Sequence, residues 1–506
     1  MTADPSVERP AAERAAPRPG PAPDRAFVRA TAATGAAAVL LGVLGTFATR
    51  QWGRVPFSVP APPWYLSWPY YVFWSPRLDP GWTLAAVPVA VLTLALVVLL
   101  ARGRLPRPAR LAGLAGCAFV LALAVAAIGG GPAAWRAPLA YVGEYPDAVG
   151  RVGAIPTFLR QFAASVPTLP DFVAQHPPGA TVFYLLVDRV WAGLTGAALA
   201  TTAAAALGVL VVAGLARDEL GSRSRIRGPG WLAAAVQLRH RGTSSQVGGA
   251  RDRYMTNSPG EAGERWAAVC WLAGPLTVLY AATAADAMWA PVLAGGALAA
   301  HRGLRQRSLA WTAAGGVLLW AASMATFAAV LVLPFLAVRA LARLREERAW
   351  VLTWAAATSA VVLGLAAACR LATGYDPLAA VAAVDRFWGV APGTNRVWWV
   401  WVLGDLLAFA GMLGFPLTAG LLAGTWAALR RRAYGSFEVA TLASLVTAAL
   451  WGHTKGEVER MWQFLVPFAV VVAVRQLRRW HAPLPLVAAL LLAQAVAVQV
   501  LFFTRW

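Results

Sequence analysis

Residues 82–128 read WTLAAVPVAVLTLALVVLLARGRLPRPARLAGLAGCAFVLALAVAAI, two apolar runs at 82–101 and 110–128 joined by the arginine-rich link RGRLPRPAR at 102–110. Each run has roughly the 20 apolar residues that a helix needs to cross a bilayer. The link is the kind of short basic loop retained on the cytoplasmic side. The stretch therefore predicts a membrane hairpin. The same pattern recurs, with apolar runs at 27–47, 192–215, 265–282, 287–300, 308–323, 325–341, 349–370, 398–427, 437–452, 460–475 and 483–502. Together these predict an all-α integral membrane protein, a polytopic bundle of about 13 transmembrane helices.

Composition agrees: of 506 residues, 59% are hydrophobic and 13% charged, and mean hydropathy is +0.58. A formal charge of +21 raises the question of a nucleic-acid partner, and the location of the arginines answers it. With the N-terminus in the cytoplasm, the basic clusters at 102–110, 217–265, 301–307, 339–348, 430–432 and 475–481 all fall on the inner side. That is the charge asymmetry of a multi-pass plasma-membrane protein, so the partner of this charge is the lipid bilayer and not nucleic acid.

Residues 1–25, rich in Pro, Ala and Arg, are expected to form a disordered cytoplasmic tail, and 26–506 the transmembrane domain. Residues 52–82 have the Trp/Tyr/Pro composition of an interfacial layer. The polar segment 218–264 lacks a Gly-rich phosphate turn and the length for a nucleotide-binding domain, and is expected to be a flexible cytoplasmic loop. Cys117, Cys270 and Cys369 sit inside apolar runs without metal-ligand spacing and read as small core residues.

The outer side has a different chemistry. Its longest loop, 129–191, contains GEYPDAVGR, with Glu144, Tyr145 and Asp147, and QHPPG, with His176 ahead of Pro177, Pro178 and Gly179. Asp286 stands at the hairpin before 287–300, Arg386 follows Asp385 before 398–427, and HTKGEVER occupies 453–460. Ionisable groups at the ends of membrane helices face water, a partner charge or a functional cavity. Lys455 is the only lysine among 44 lysine and arginine side chains, and beside Arg460 it suits a phosphate, with Glu457 and Glu459 to hold it. HPPG is expected to fix a helix start, because proline in the first turn costs no hydrogen bond.

GEYPD and QHPPG in the long loop, ATAADAMW at 282–289 and GHTKGEVERMWQFLVPF at 452–468 resemble the polytopic GT-C glycosyltransferases, in particular actinobacterial integral membrane proteins of that superfamily. The resemblance implies transfer of a sugar from a polyprenyl-phosphate donor to a glycan or glycolipid acceptor of the cell envelope on the extracytoplasmic face, where short juxtamembrane helices carry the loops. It implies a carboxylate base in the first large outer loop, for which Asp147 and Glu144 are the alternatives. Tyr145, His176, Asp286, Arg386, Lys455, Glu457 and Arg460 become the expected substrate contacts. No cofactor is implied; no metal triad is evident, and a divalent-metal requirement stays open. Two rivals from other classes are a lipid or polysaccharide transporter or flippase, and a non-catalytic membrane assembly partner.

Overall fold

The computed structural model describes residues 24–51, 79–221, 258–390 and 398–501. The expected tail, most of the interfacial 52–82 segment and the 222–257 part of the expected cytoplasmic loop lie outside the described residues. Every regular element within them is helical. Among the described residues six helices are long and apolar enough to cross a membrane, namely Pro80–Arg102, Arg107–Ala127, Leu194–Gly221, Phe327–Leu344, Arg348–Thr373 and Leu484–Leu501. Shorter apolar helices run over Leu309–Ser323, Trp401–Leu413 and Phe437–Leu450.

Burial sorts these helices into an inside and an outside. Over its most apolar stretch Arg348–Thr373 is only 11% buried, so its leucines and valines face outward into what must be a nonpolar medium. Val466–Arg479 is the opposite case. Its residues from Val466 to Val474 are all buried, and it packs against Phe415–Arg430, Gly208–Gly221 and Pro259–Ala273 at the centre of the bundle.

The 192–215 run passes through Leu207, whose backbone is still helical, as the single Leu194–Gly221 span, whereas two other expected spans break at a glycine. The 265–282 run divides at Gly274, because Pro275 lacks the N–H that would continue the ladder. The 398–427 run divides at Gly414, where φ is 106° and a side chain would meet Leu491 at 2.2 Å. The two breaks are neighbours, since a Cβ added to Gly414 would stand 3.3 Å from Pro275 Cδ. At the second break the Gln494 side chain restores the lost backbone pairing: the Phe415 N–H donates to its Oε1 at 2.9 Å and its Nε2 donates to the Gly411 carbonyl at 2.7 Å. Backbone groups freed at a break inside an apolar bundle need an internal partner.

The edges of the expected 218–264 loop are helical as well. Asp218 and Glu219 end the Gly208–Gly221 helix, and Glu264 lies in Pro259–Ala273, capped by Ser258. Glu264 is fully buried and paired with Arg110 at 3.1 Å and Arg107 at 2.9 Å. Arginines reaching from other helices hold these residues in regular structure. The charges thus gather in two layers. Asp286 begins and His301 nearly ends the same Asp286–Gln306 helix, so the layers are about 22 Å apart at an α-helical rise of roughly 1.5 Å per residue.

Candidate functional site

The long 129–191 loop folds into short helices, among them Tyr145–Val149, Ile155–Ser165, Asp171–Ala174 and Gly179–Val190. Pro146 sits in the first turn of Tyr145–Val149, and Glu144 is its extended N-cap residue, with its side chain buried at 4% exposure. The Gly179–Val190 helix starts where HPPG predicts. The Gly179 N–H donates to the Met324 carbonyl at 2.6 Å, and a Cβ there would approach that oxygen to 2.5 Å, so only glycine permits the contact.

This packing draws three rings together. Tyr145 stacks on Tyr184 with centroids 6.1 Å apart and meets His176 edge-on at 5.7 Å. Tyr184 shares a hydrogen bond with Thr201 Oγ1 at 2.9 Å. His176 Nδ1 donates to the Phe172 carbonyl at 2.7 Å, which fixes the tautomer and leaves Nε2 as the ring's acceptor. Burial pushes the His176 pKa below the ordinary histidine value, aided by Arg460 and opposed by Asp286 and the Phe172 carbonyl. Burial also raises the Tyr145 hydroxyl pKa, with Asp286 and Glu144 adding to the rise.

The opposing wall comes from HTKGEVER. Gly456 and Glu457 both adopt left-handed backbone, at φ 83° and 60°, a conformation uncommon for a side chain as large as glutamate. The Gly456 N–H donates to Asp405 Oδ1 at 2.9 Å, and the turn aims Glu457 at Arg460 three residues on. Arg460 Nη2 donates to Glu457 Oε2 at 3.0 Å and Nε at 3.3 Å, while Nη1 pairs with Asp286 Oδ2. The guanidinium lies 5.4 Å from the Phe172 ring centre and its side chain is 6% exposed. Burial alone would lower its pKa, but Asp286, Glu457 and Glu144 outweigh that and hold it above the usual arginine value.

Six of the expected residues, Glu144, Tyr145, His176, Asp286, Glu457 and Arg460, therefore converge from three distant parts of the chain. The other three do not join them in the same way. Asp147 turns to the surface, paired with Arg151 at 3.0 Å and accepting from the Gly143 N–H at 3.3 Å. Lys455 is half-buried one residue before the Gly456–Asp405 contact. Arg386 is exposed on the Pro377–Val390 helix, which reaches the loop instead through Asp385 and His453, 3.8 Å apart.

The site also contains residues that the sequence reading passed over. Tyr184 and Phe172 line it, and Asp405, 1% exposed, anchors the HTKGEVER turn. Asp405 carried a signal, being an acid inside the run WWVWVLGDLLAFAGML, which is costly there without a role.

Three carboxylates thus surround one guanidinium, an arrangement suited to accepting protons and hydrogen bonds from hydroxyl groups. Arg460 is occupied by Asp286 and Glu457. Among the described residues no three His, Cys, Asp or Glu side chains converge as a metal ligand set would. No protein-family model matches this chain, and no curated protein is similar enough to count as a match.

Proposed function

We propose that the chain is a membrane glycosyltransferase that moves a sugar from a polyprenyl-phosphate carrier to a hydroxyl of an extracytoplasmic envelope acceptor. The observation that carries this reading is the buried carboxylate of Glu144, near enough to Arg460 and Tyr145 for its charge to act on both, in the same cluster as Asp286 and Glu457. In this reading the bundle crosses the plasma membrane about 13 times with its N-terminus in the cytoplasm, and the Glu144–Arg460 layer lies on the outer face.

Glu144 acts as the base. The acceptor hydroxyl gives its proton to Glu144 as its oxygen bonds to the anomeric carbon; the bond from that carbon to the phosphate oxygen breaks, and its electron pair leaves with the polyprenyl phosphate. A single displacement of this kind inverts the anomeric configuration. Asp286 and Glu457, oriented by Arg460, accept hydrogen bonds from sugar hydroxyls, and Tyr145 and His176 supply the ring surface. Arg460 is thus a positioning residue, and the phosphate falls to Lys455, a compact cation on the same loop.

The test is transfer of radiolabelled sugar from a polyprenyl-phosphate donor by the purified protein in proteoliposomes. Glu144→Gln preserves shape and removes basicity, so transfer should fall by about 100- to 10,000-fold, the range for general-base catalysis. Donor translocation across the bilayer without transfer would make the protein a flippase, and neither activity would leave an assembly partner.

A further inference from the structure

At the end of the bundle away from Arg460, four helix ends leave a cavity of about 600 Å³, well within the size range of small-ligand sites. Its charged lining consists of Glu219, Arg339, Glu438, Arg475, Arg478 and Arg479. Four guanidiniums face two carboxylates, and both carboxylates are already engaged. Glu219 receives His301 at 2.9 Å, Arg305 at 3.1 Å and Arg339 at 3.4 Å, while Glu438 is paired with Arg475.

The surplus positive charge therefore belongs to Arg478 and Arg479. Arg478 donates to the Pro259 carbonyl at 3.1 Å, and among the described residues neither it nor Arg479 forms an ion pair. Arg339 and Arg475 are fixed beside them by backbone contacts, to the Gly435 carbonyl at 2.8 Å and the Glu219 carbonyl at 3.1 Å. The result is a preorganised cationic wall next to the apolar Phe437 and Leu220. Guanidinium forks match the oxygens of a phosphate, and helix-end basic pockets lie at the depth of lipid headgroups.

We propose that this cavity binds a phosphate anion, gripped by Arg478 and Arg479 against the fixed pair Arg339 and Arg475. The phosphate is either a lipid headgroup or a soluble phosphate, and the site is separate from the Glu144–Arg460 layer.

The full chain, purified in neutral detergent, is titrated with inorganic phosphate, with short-chain phosphatidylglycerol and with zwitterionic phosphatidylcholine, reading the unfolding temperature. The expected result is a saturable rise with phosphatidylglycerol or phosphate. Its half-saturation point should move at least about ten-fold in Arg478→Gln/Arg479→Gln, as the loss of charged hydrogen bonds requires. The variant gives up the Arg478 hydrogen bond to the Pro259 carbonyl but no carboxylate pair, so it should unfold cooperatively at a slightly lower temperature, and each titration is read against the protein's own value without additive. Arg345→Gln, an exposed arginine elsewhere at this end, should titrate as wild type. A rise with phosphatidylglycerol alone identifies the headgroup, and a rise with both identifies the phosphate group itself. No saturable rise with either probe, a response equal for phosphatidylcholine, or identical titrations of the double variant and wild type would each overturn the proposal.

Discussion

Arg460 and Asp286 are 174 residues apart in the chain and share a largely buried ion pair, with side chains 6% and 15% exposed, that ties the HTKGEVER turn to the first residue of the Asp286–Gln306 helix. Removing one member leaves the other charged and desolvated. Arg460→Gln should therefore cost about 3–5 kcal/mol of stability, as breaking a buried pair does elsewhere. Adding Asp286→Asn should recover part of that loss, with a coupling of about 0.5–3 kcal/mol. Thermal unfolding of the two singles and the double checks this, and strictly additive effects would show that the pair is not coupled.

Asp147→Asn separates the two acids of the GEYPD motif. Its carboxylate meets an exposed Arg151, a surface pair of the kind that contributes about 0–1 kcal/mol. Stability should change by no more than that, and sugar transfer should stay within a few-fold of wild type. Loss of transfer comparable to that of Glu144→Gln would move the base to Asp147.

The pH dependence of stability should carry a histidine component. The folded protein holds the His176 pKa below its unfolded value of about 6.5. Folding thus favours the neutral ring, so this contribution is complete above pH ~6.5 and is lost as pH falls through that value toward the folded pKa. Unfolding temperatures of wild type and His176→Gln should converge or cross on acidification from neutral pH. Parallel curves would rule the contribution out.

Gly179→Ala tests the backbone contact under the long loop. The added Cβ would stand 2.5 Å from the Met324 oxygen, so the helix start carrying HPPG must shift, at about 1–3 kcal/mol for overpacking. The unfolding temperature should drop and transfer with it, because His176 and Tyr145 rest on this segment. An unchanged unfolding temperature would mean that the approach is looser than described.

Orientation is accessible by labelling. Arg151 and Arg345 are exposed in the two opposite layers. In a background lacking the three native cysteines, Arg151→Cys should react with an impermeant thiol reagent on intact cells and Arg345→Cys only after permeabilisation. The reverse pattern would put the Glu144 layer on the wrong side for an extracytoplasmic acceptor.

Much of the helical layout was legible because a bilayer imposes length and apolarity on every crossing, and the arginine loops punctuate the runs. The breaks were less so. Gly274-Pro275 and Gly414-Phe415-Pro416 are turn signals, yet within apolar runs the periodicity continues across them. The gathering of Glu144, Asp286 and Glu457 could be anticipated only as far as a shared side of the bundle. Which acid faces inward was written in the sequence more plainly than it was read, since Asp147 and Arg151 stand four residues apart, the spacing of a helical ion pair. By contrast, Glu219, Glu438 and the arginines around them come from separate helices, and no local pattern announces their meeting.

The amide of Gln494 bears on the order in which the chain is made. The carbonyl it serves, Gly411, leaves the ribosome 83 residues earlier, which at roughly 5–20 residues per second is about 4–17 s of synthesis. Through that interval the discontinuity at Gly414 lacks the Gln494 amide, and the helices on either side of it are made before the one that joins them. The centre of the bundle is thus completed by a helix made well after the ones it joins, so its interior cannot take its native pairing until Leu484–Leu501 is in place.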